Sequence, residues 1–161
     1  MPPETSSPVA KLERVLVTTD FSELASLAIP FAYAIVAPGG TVHLLHVVEP
    51  VTRPNPLYAH YRPGQAPTPA EREAQLAELR QRLAALVPAG ARERGIATAC
   101  ELAEGLDVAD EVRAVAERIG ADALCMASHG RTGLARTLLG SVANDVLKRA
   151  QRPLLLVPSR S

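Results

Sequence analysis

The sequence predicts an α/β fold: a single domain with an open five-stranded parallel sheet in the order 3-2-1-4-5 and helices on both faces. Two observations predict it. Short apolar runs alternate with stretches of helical periodicity, and such alternation indicates parallel strands joined by right-handed crossovers. The chain has 161 residues, which is enough for one domain with its own core.

The first unit is a strand followed by a helix. The β-branched run Arg14–Thr19 predicts the strand, and Ser22 can cap the helix. Pro30 is expected to kink that helix near residue 26, because proline removes a hydrogen bond and clashes with the preceding turn. Residues 1–13, polar and rich in proline, are expected to be a disordered leader. The apolar positions at helical spacing are Leu24, Ala28, Phe31 with Ala32, and Ile35.

A proline-rich segment follows the second strand, which is predicted at Thr41–Val48. Residues 49–69 contain six prolines, a density that neither a sheet ladder nor a helix tolerates. We expect a mobile flap that offers Tyr58 and Tyr61 to a partner or ligand. A helix over residues 70–93 is expected next, with its last turns broken or kinked by a proline. Its apolar face is Leu76, Leu79, Leu83 and Leu86.

The C-terminal half repeats the strand–helix alternation. Asp107 is expected to cap the third helix, in which apolar residues recur at Val108, Val112, Val115 and Ile119. The other predicted elements are a third strand at Ile96–Glu101, a fourth strand at Ala121–Ala127, a fourth helix at Gly140–Ala150 and a last strand at Pro153–Val157.

Composition excludes several classes of protein. The formal net charge is zero, so nothing in the composition suggests nucleic acid or an anionic membrane surface as a partner. No apolar run reaches the roughly 18 residues that cross a bilayer, and the N-terminus lacks the apolar core of a secretory signal. We expect a cytoplasmic protein. Cys100 and Cys125 are expected to be buried thiols, three strand spacings or about 14 Å apart, beyond the roughly 7 Å that a disulfide spans.

The most informative segment runs from Leu124 to Val157. It predicts a buried strand, a glycine-containing loop, a helix opened by Gly140 and Ser141, and a second buried strand. The first turn of a helix presents unpaired N–H groups, and the helix dipole favours negative charge there. This pattern is typical of a site for a phosphorylated ligand.

Other known motifs are missing from the sequence. It contains neither the phosphate loop of the P-loop enzymes nor the glycine fingerprint of dinucleotide-binding proteins, and no nucleophile elbow. His43 and His46 are three residues apart on one strand, so they face opposite sides of the sheet and cannot share a metal. His60 has no partner nearby in sequence. No cluster of carboxylates in the sequence could hold Mg²⁺ or Mn²⁺ alone, so such an ion would arrive on the phosphates of the ligand.

Four stretches of sequence resemble the universal stress protein (UspA-like) family. Ala127-Ser128-His129-Gly130, followed by Gly140-Ser141, is similar to the family's Gly-x2-Gly-x9-Gly-Ser/Thr motif. The stretch TTDFSE resembles the end of its first strand, LLHVV resembles its second strand, and RPLLLVP resembles its final strand. The resemblance spans residues 14–158 and implies a Rossmann-like sheet related to the adenine-nucleotide α-hydrolases. Two positions depart from the pattern: Ala127 replaces the first glycine, and Thr18 stands where members that bind ATP often have proline.

The resemblance implies an ATP site with no metal ligands of its own. Asp20 would accept a hydrogen bond from the adenine amino group, while Val47 and Met126 would pack against the nucleoside. The alternatives are a cap or loop role for Asp20, ordinary core packing for the two apolar residues, and a plain cap at Ser141. The implied nucleotide-binding residues are Thr18, Thr19, Asp20, Val47, Met126, Ala127, His129, Gly130, Arg131, Gly140, Ser141 and Val142.

Two functions remain open from the sequence. One is a regulatory protein of the stress response, in which ATP occupancy changes dimer or partner interactions. The other is a dimeric adaptor or signalling protein that no longer binds nucleotide, favoured by Ala127 and Thr18. No general base is placed beside the expected γ-phosphate, so efficient catalysis is not expected, and slow ATP hydrolysis or autophosphorylation is the most that the resemblance implies. A nucleotidyl-transfer enzyme is a third, weaker alternative, because no phosphate loop follows the first strand.

A homodimer is expected in both cases. The segment Pro153–Val157 is apolar on both faces and would be an edge strand, which invites pairing with another chain. The family resemblance implies that the last strands of two subunits pair with each other. The protein partner, and the choice between ATP, ADP and AMP, cannot be predicted from these residues.

Overall fold

The computed structural model describes residues 10–50, 67–129 and 139–158. Five parallel strands form one sheet in the order β3-β2-β1-β4-β5, which confirms the predicted fold class and strand order. Just before the first strand, the Leu12 carbonyl accepts a hydrogen bond from the Ala37 N–H at 2.8 Å. The strands are β1 (Arg14–Thr18), β2 (Thr41–Val48), β3 (Ala97–Glu104), β4 (Ala123–Ala127) and β5 (Leu154–Val157).

Helices cover both faces of this sheet. On one face, α1, α2 and α3 pack over a core that includes Val17, Leu44 and Leu83. On the other face, α4 and α5 pack over a core that includes Leu16 and Leu45. The helices are α1 (Glu23–Ser26), α2 (Ile29–Ile35), α3 (Pro69–Ala85), α4 (Val108–Ile119) and α5 (Ser141–Arg149). Within the described ranges, no helix is long and apolar enough to cross a membrane.

The prediction of a single, kinked first helix was wrong. The chain forms two short helices, and Pro30 lies in the first turn of α2 after the N-cap Ala28. Proline is well tolerated there, because the N–H that it lacks would have no partner inside the helix. Phe31, predicted on the apolar face, is 44% exposed, because the break between the two helices changes which side of α2 faces the sheet.

Two predicted helix caps are confirmed, and a third is observed. Ser22 accepts a hydrogen bond from Ala25 N–H, and Asp107 accepts from Ala109 and Asp110, as predicted; Thr68 forms a capping box with Glu71 at the start of α3. Glu71 is held by the Thr68 backbone and hydroxyl, and these hydrogen bonds lower the pKa of its carboxyl. A side-chain oxygen near the first turn satisfies N–H groups that the helix itself cannot.

Several predicted boundaries were displaced. Helix α3 ends at Ala85 rather than residue 93, because Pro88 stops it and residues 86–95 form turns. Strand β3 runs to Glu104, three residues beyond the predicted end, since it pairs with β2 along its whole length. Strand β2 has the predicted bounds, and β1, β4, β5 and α5 differ from theirs by one or two residues. Residues 51–66, with Tyr58, His60 and Tyr61, lie outside the described residues, so the flap stays a prediction.

The two cysteines lie in one row across the sheet, as predicted. The register runs from Cys100 through Leu44 and Val17 to Cys125, which is three strand steps, and both thiols are free. Cys125 is buried, but Cys100 is only half-buried, so its predicted burial was too high. It lies on β3, which is at one edge of the sheet among the described residues and pairs with β2.

Alkylation by iodoacetamide at pH 8 is expected to be slow at Cys125. Burial raises the pKa of this thiol to about 12, so the reactive thiolate is scarce. Burial and then the Glu101 charge also raise the pKa of the Cys100 thiol, but its partial exposure should make it the first to react. Peptide mass spectrometry at timed intervals, with urea-unfolded protein as the control, measures both rates. Faster modification of native Cys125 would contradict this packing.

Candidate functional site

The candidate site lies where β1 and β4 end side by side. Val17 pairs with Cys125, so Thr18 and Met126 follow at the carboxyl edge. From β1 the chain continues to α1 and α2 on one face of the sheet, and from β4 it continues to α5 on the other. A reversal of this kind opens a crevice between adjacent strand ends, which is where open α/β sheets bind their ligands.

Thr19 fixes the end of β1. Its N–H donates to the Leu45 carbonyl at 2.9 Å, and its own carbonyl accepts from His46 Nδ1 at 2.9 Å. Its hydroxyl accepts from Phe21 N–H at 3.0 Å. Because its amide, carbonyl and hydroxyl are all engaged within the protein, Thr19 acts as an anchor for the residues that follow.

Asp20 lies directly after this anchor and is half-buried. One carboxylate oxygen, Oδ1, accepts a hydrogen bond from Ser22 N–H at 2.9 Å, which closes a short turn before α1. This is the local role that was left open for Asp20 as an alternative to ligand binding. A carboxylate holding such a turn can also face a ligand, because each oxygen accepts more than one hydrogen bond.

Phe21 was missed by the sequence analysis and has the least usual backbone at the site. Its φ is +64°, in a region where a side chain other than glycine costs roughly 1–2 kcal/mol. The ring centroid lies 4.5 Å from that of His46, and the Arg82 guanidinium lies over the ring at 4.0 Å. These contacts with β2 and α3 hold the strained turn. Nothing in the local spacing of TTDFSE signals them.

The apolar residues predicted for the site differ in how deeply they are buried and in which core they belong to. Met126 is 5% exposed and belongs to the core beneath α4 and α5, the structural alternative named for it. Val47 is half-buried at the rim of the same core. Ala127 is 9% exposed, pairs with Val157 and belongs to the opposite core. Thr18 is a half-buried strand residue paired with Leu45.

Backbone hydrogen bonds bring the start of α5 to the end of β4. Ser128 N–H donates to the Val157 carbonyl at 2.9 Å, and Gly140 N–H donates to the Ser128 carbonyl at 2.8 Å. Gly140 is the N-cap of α5, so Ser141 is not a plain cap. Ser141 and Val142 are exposed on the first turn, where helical N–H groups lack partners within the helix.

The loop between Ser128 and Gly140 is described only at its ends. His129 Nδ1 and the Ser128 hydroxyl share a hydrogen bond of 2.9 Å, and His129 is half-buried. Gly130 and Arg131 lie outside the described residues, so their contact with phosphate stays a prediction. In the described part of the chain, no group of three or more His, Cys, Asp or Glu side chains could hold a metal ion.

The two histidines of β2 lie on opposite faces, as predicted. His46 contacts Phe21 near the site, whereas His43 Nδ1 hydrogen-bonds to Glu101 at 3.0 Å on the α4 face. Arg118 of α4 also donates to Glu101. Burial raises the pKa of this carboxyl, but the hydrogen bonds from Arg118 and His43 together outweigh it, so the pKa is lowered. This charged cluster is structural and stands apart from the crevice.

The fold and the crevice define an α/β protein in which a helix begins beside the point where the strand order of the sheet reverses. The model of the universal stress protein family matches residues 11–158, and the chain belongs to that family. Universal stress protein MJ0531 of Methanocaldococcus jannaschii is 45% identical over 67 residues, which are 42% of this chain and 39% of that protein. This match thus spans well under half the length of the curated relative.

Solved structures extend the similarity to the whole fold. The structure of hypothetical protein MJ0577 has a TM-score of 0.72 and 26% identity, covering 94% of this chain and 99% of that one. A universal stress protein in complex with cAMP has a TM-score of 0.58 and 23% identity, covering 94% of this chain and 100% of that one. A family protein of Arabidopsis thaliana with AMP bound has a TM-score of 0.55 and 16% identity, covering 92% of each chain.

Proposed function

We propose that this protein binds ATP at the β1–β4 crevice and acts in the cytoplasm as a regulatory protein of the stress response. Occupancy would change its association with a second copy or a protein partner. The observation that carries the proposal is the start of α5, tied to the end of β4 through Ser128. The same fold holds cAMP in one solved structure and AMP in another, which supports an adenine nucleotide as the ligand.

Each end of the nucleotide would meet a different part of the crevice. The N–H groups of Ser141 and Val142, with the Ser141 hydroxyl, would hold phosphate oxygens at the positive end of the α5 dipole. Asp20 would accept from the adenine amino group, and Val47 would pack against the base. His129, Gly130 and Arg131 would line the phosphate path. A bound Mg²⁺ or Mn²⁺ would neutralise phosphate charge and be held mainly by the nucleotide.

Ala127 is compatible with this proposal. The residue continues the β4 ladder, and Phe21 is the residue other than glycine that has a positive φ in the described part of the chain. Ala127 therefore needs no conformation that favours glycine. It also belongs to the core under α1 and α2, so packing inside the protein accounts for its methyl group.

Calorimetric titration of ATP–Mg²⁺ into nucleotide-free protein tests the proposal. We expect saturable binding at micromolar concentrations, and weaker binding of GTP because its base lacks the 6-amino group that Asp20 would recognise. The absence of heat and of any thermal shift with ATP, ADP, AMP or cAMP would contradict the proposal.

The alternative is a dimeric adaptor that has lost nucleotide binding. The Asp20 hydrogen bond to Ser22 N–H favours it, since local structure alone then accounts for that carboxylate. Under this alternative the protein releases no nucleotide on denaturation, and substitutions at the crevice leave its partners unchanged.

A homodimer through β5 is part of both proposals. Strand β5 is at the edge of the sheet. The Pro153 carbonyl, just before β5, accepts from Leu124 N–H, and the Val157 carbonyl accepts from Ser128 N–H, just after β4. Because strand residues alternate in direction, the N–H groups of Leu154 and Leu156 point outward. Pairing of two such edges would satisfy these groups and cover half-buried leucines.

Leu156→Pro is expected to turn the dimer into a monomer in sedimentation velocity at micromolar concentration. Proline removes an outward N–H but spares the bonds to β4, and edge strands tolerate it. Leu156→Ala is the matched control, since it also shortens the side chain but keeps the N–H, and it should remain dimeric. A monomeric native protein, or a dimeric proline variant, would contradict pairing through β5.

A further inference from the structure

The strained turn that carries Asp20 is held by a helix from another part of the chain. Phe21 has a φ of +64°, and its N–H is bonded to the Thr19 hydroxyl. One residue before it is Asp20, and one residue after it is Ser22, whose N–H bonds to the Asp20 carboxylate. Any rotation of the Phe21 backbone therefore moves the Asp20 carboxylate and the start of α1 together.

Two side chains hold the Phe21 ring. His46 of β2 lies 4.5 Å from it, centroid to centroid, and is itself fixed by the Thr19 carbonyl at 2.9 Å. Arg82 of α3 places its guanidinium 4.0 Å from the ring centroid, within the range of a cation–π interaction. His46 belongs to a strand of the sheet, whereas Arg82 belongs to an outer helix most of whose residues are exposed.

We infer that Arg82 is a positioning residue for the adenine end of the crevice, acting through the Phe21 ring on the Asp20 turn. The identity of the ligand rests on the proposed function, whereas the link from Arg82 through the Phe21 ring to the Asp20 turn rests on the observed contacts alone. Because of this link, the affinity for nucleotide depends on the position of α3, so a partner that shifted α3 would change the occupancy of the site.

The first test measures amide exchange without nucleotide. In Arg82→Gln, the Ser22 and Ala25 N–H groups should exchange about two- to fivefold faster than in the native protein, the factor equivalent to an exposed cation–π contact. Arg82→Lys keeps a cation over the ring and should restore most of the protection. Arg80→Gln, on the same helix and also exposed, is the matched control. Equal exchange in Arg82→Gln and Arg80→Gln would overturn the link.

The second test separates positioning from a general loss of stability. ATP affinity should fall by about the same two- to fivefold in Arg82→Gln, whereas the affinity for inorganic tripolyphosphate, which meets only the α5 end, should not change. In a Phe21→Leu background the Arg82 substitution should have no further effect. Equal losses for ATP and tripolyphosphate would overturn the inference. If the native protein binds neither probe, the proposed function fails, while the exchange rates still decide the link.

Discussion

Asp20→Ala is expected to weaken ATP binding by roughly ten- to a hundredfold, the equivalent of a hydrogen bond to a charged acceptor. The loss should be specific to the base, because Asp20 would meet the adenine amino group. Inosine triphosphate lacks that group, so the native protein should bind it more weakly than ATP, and Asp20→Ala should bind the two about equally. Calorimetry on both proteins with both nucleotides measures this difference.

Ser22→Ala is the control for the Asp20 result. Asp20→Ala also removes the bond to Ser22 N–H, so some of its effect could come from a loosened α1. Ser22→Ala removes the helix cap on Ala25 but leaves the Asp20 carboxylate in place. It should lower stability by about 1 kcal/mol and retain the preference for ATP over inosine triphosphate. An equal loss of that preference in both variants would contradict a base-binding role for Asp20.

Ser141→Asp is expected to change stability and affinity in opposite directions. A carboxylate in the first turn of α5 interacts favourably with the helix dipole, which should raise the free energy of unfolding by about 0.3–1 kcal/mol. The same charge would repel phosphate at about 4 Å by roughly 1–4 kcal/mol, so ATP affinity should fall by about fivefold or more. Urea unfolding and calorimetry on the same samples measure the two effects.

The neutral variant Ser141→Asn isolates the charge. It has nearly the same shape as the aspartate but no charge, and it removes the Ser141 hydroxyl equally, so its ATP affinity should stay well above that of Ser141→Asp. Because the affinity loss in Ser141→Asp is electrostatic, it should shrink at high salt. Unchanged ATP affinity in Ser141→Asp would mean that phosphate does not bind at the start of α5.

The sheet could be predicted from the sequence because its strands are apolar runs separated by helical periodicity. Burial on both faces makes such runs distinct, and the alternation of elements dictates parallel pairing. The boundaries failed where a proline acts. Pro30 divides the first helix, and Pro88 ends α3 early, because periodicity records which face is apolar but not where the hydrogen-bond ladder stops.

The candidate site could be predicted only in part. The topology places three predicted residues at the carboxyl edge of the sheet, because Asp20 follows β1 while Gly140 and Ser141 stand at the start of α5. The turn at Phe21 could not be predicted, since phenylalanine is an unusual residue at positive φ and the contacts that hold it come from β2 and α3. Met126 was predicted to contact the nucleoside because it lies near the end of a strand, but packing against α4 and α5 buries it.

The measurement that tests the central claim most directly is a titration of isotope-labelled protein with ATP–Mg²⁺, followed by amide NMR. Binding in the β1–β4 crevice predicts shifts concentrated at Asp20, Val47, Ser128, Ser141 and Val142. The amide signals at the amino ends of the strands, such as those of Gly40 and Thr41, should not shift. Shifts centred on those amino ends, or no shifts at millimolar ATP, would contradict a nucleotide site at the start of α5.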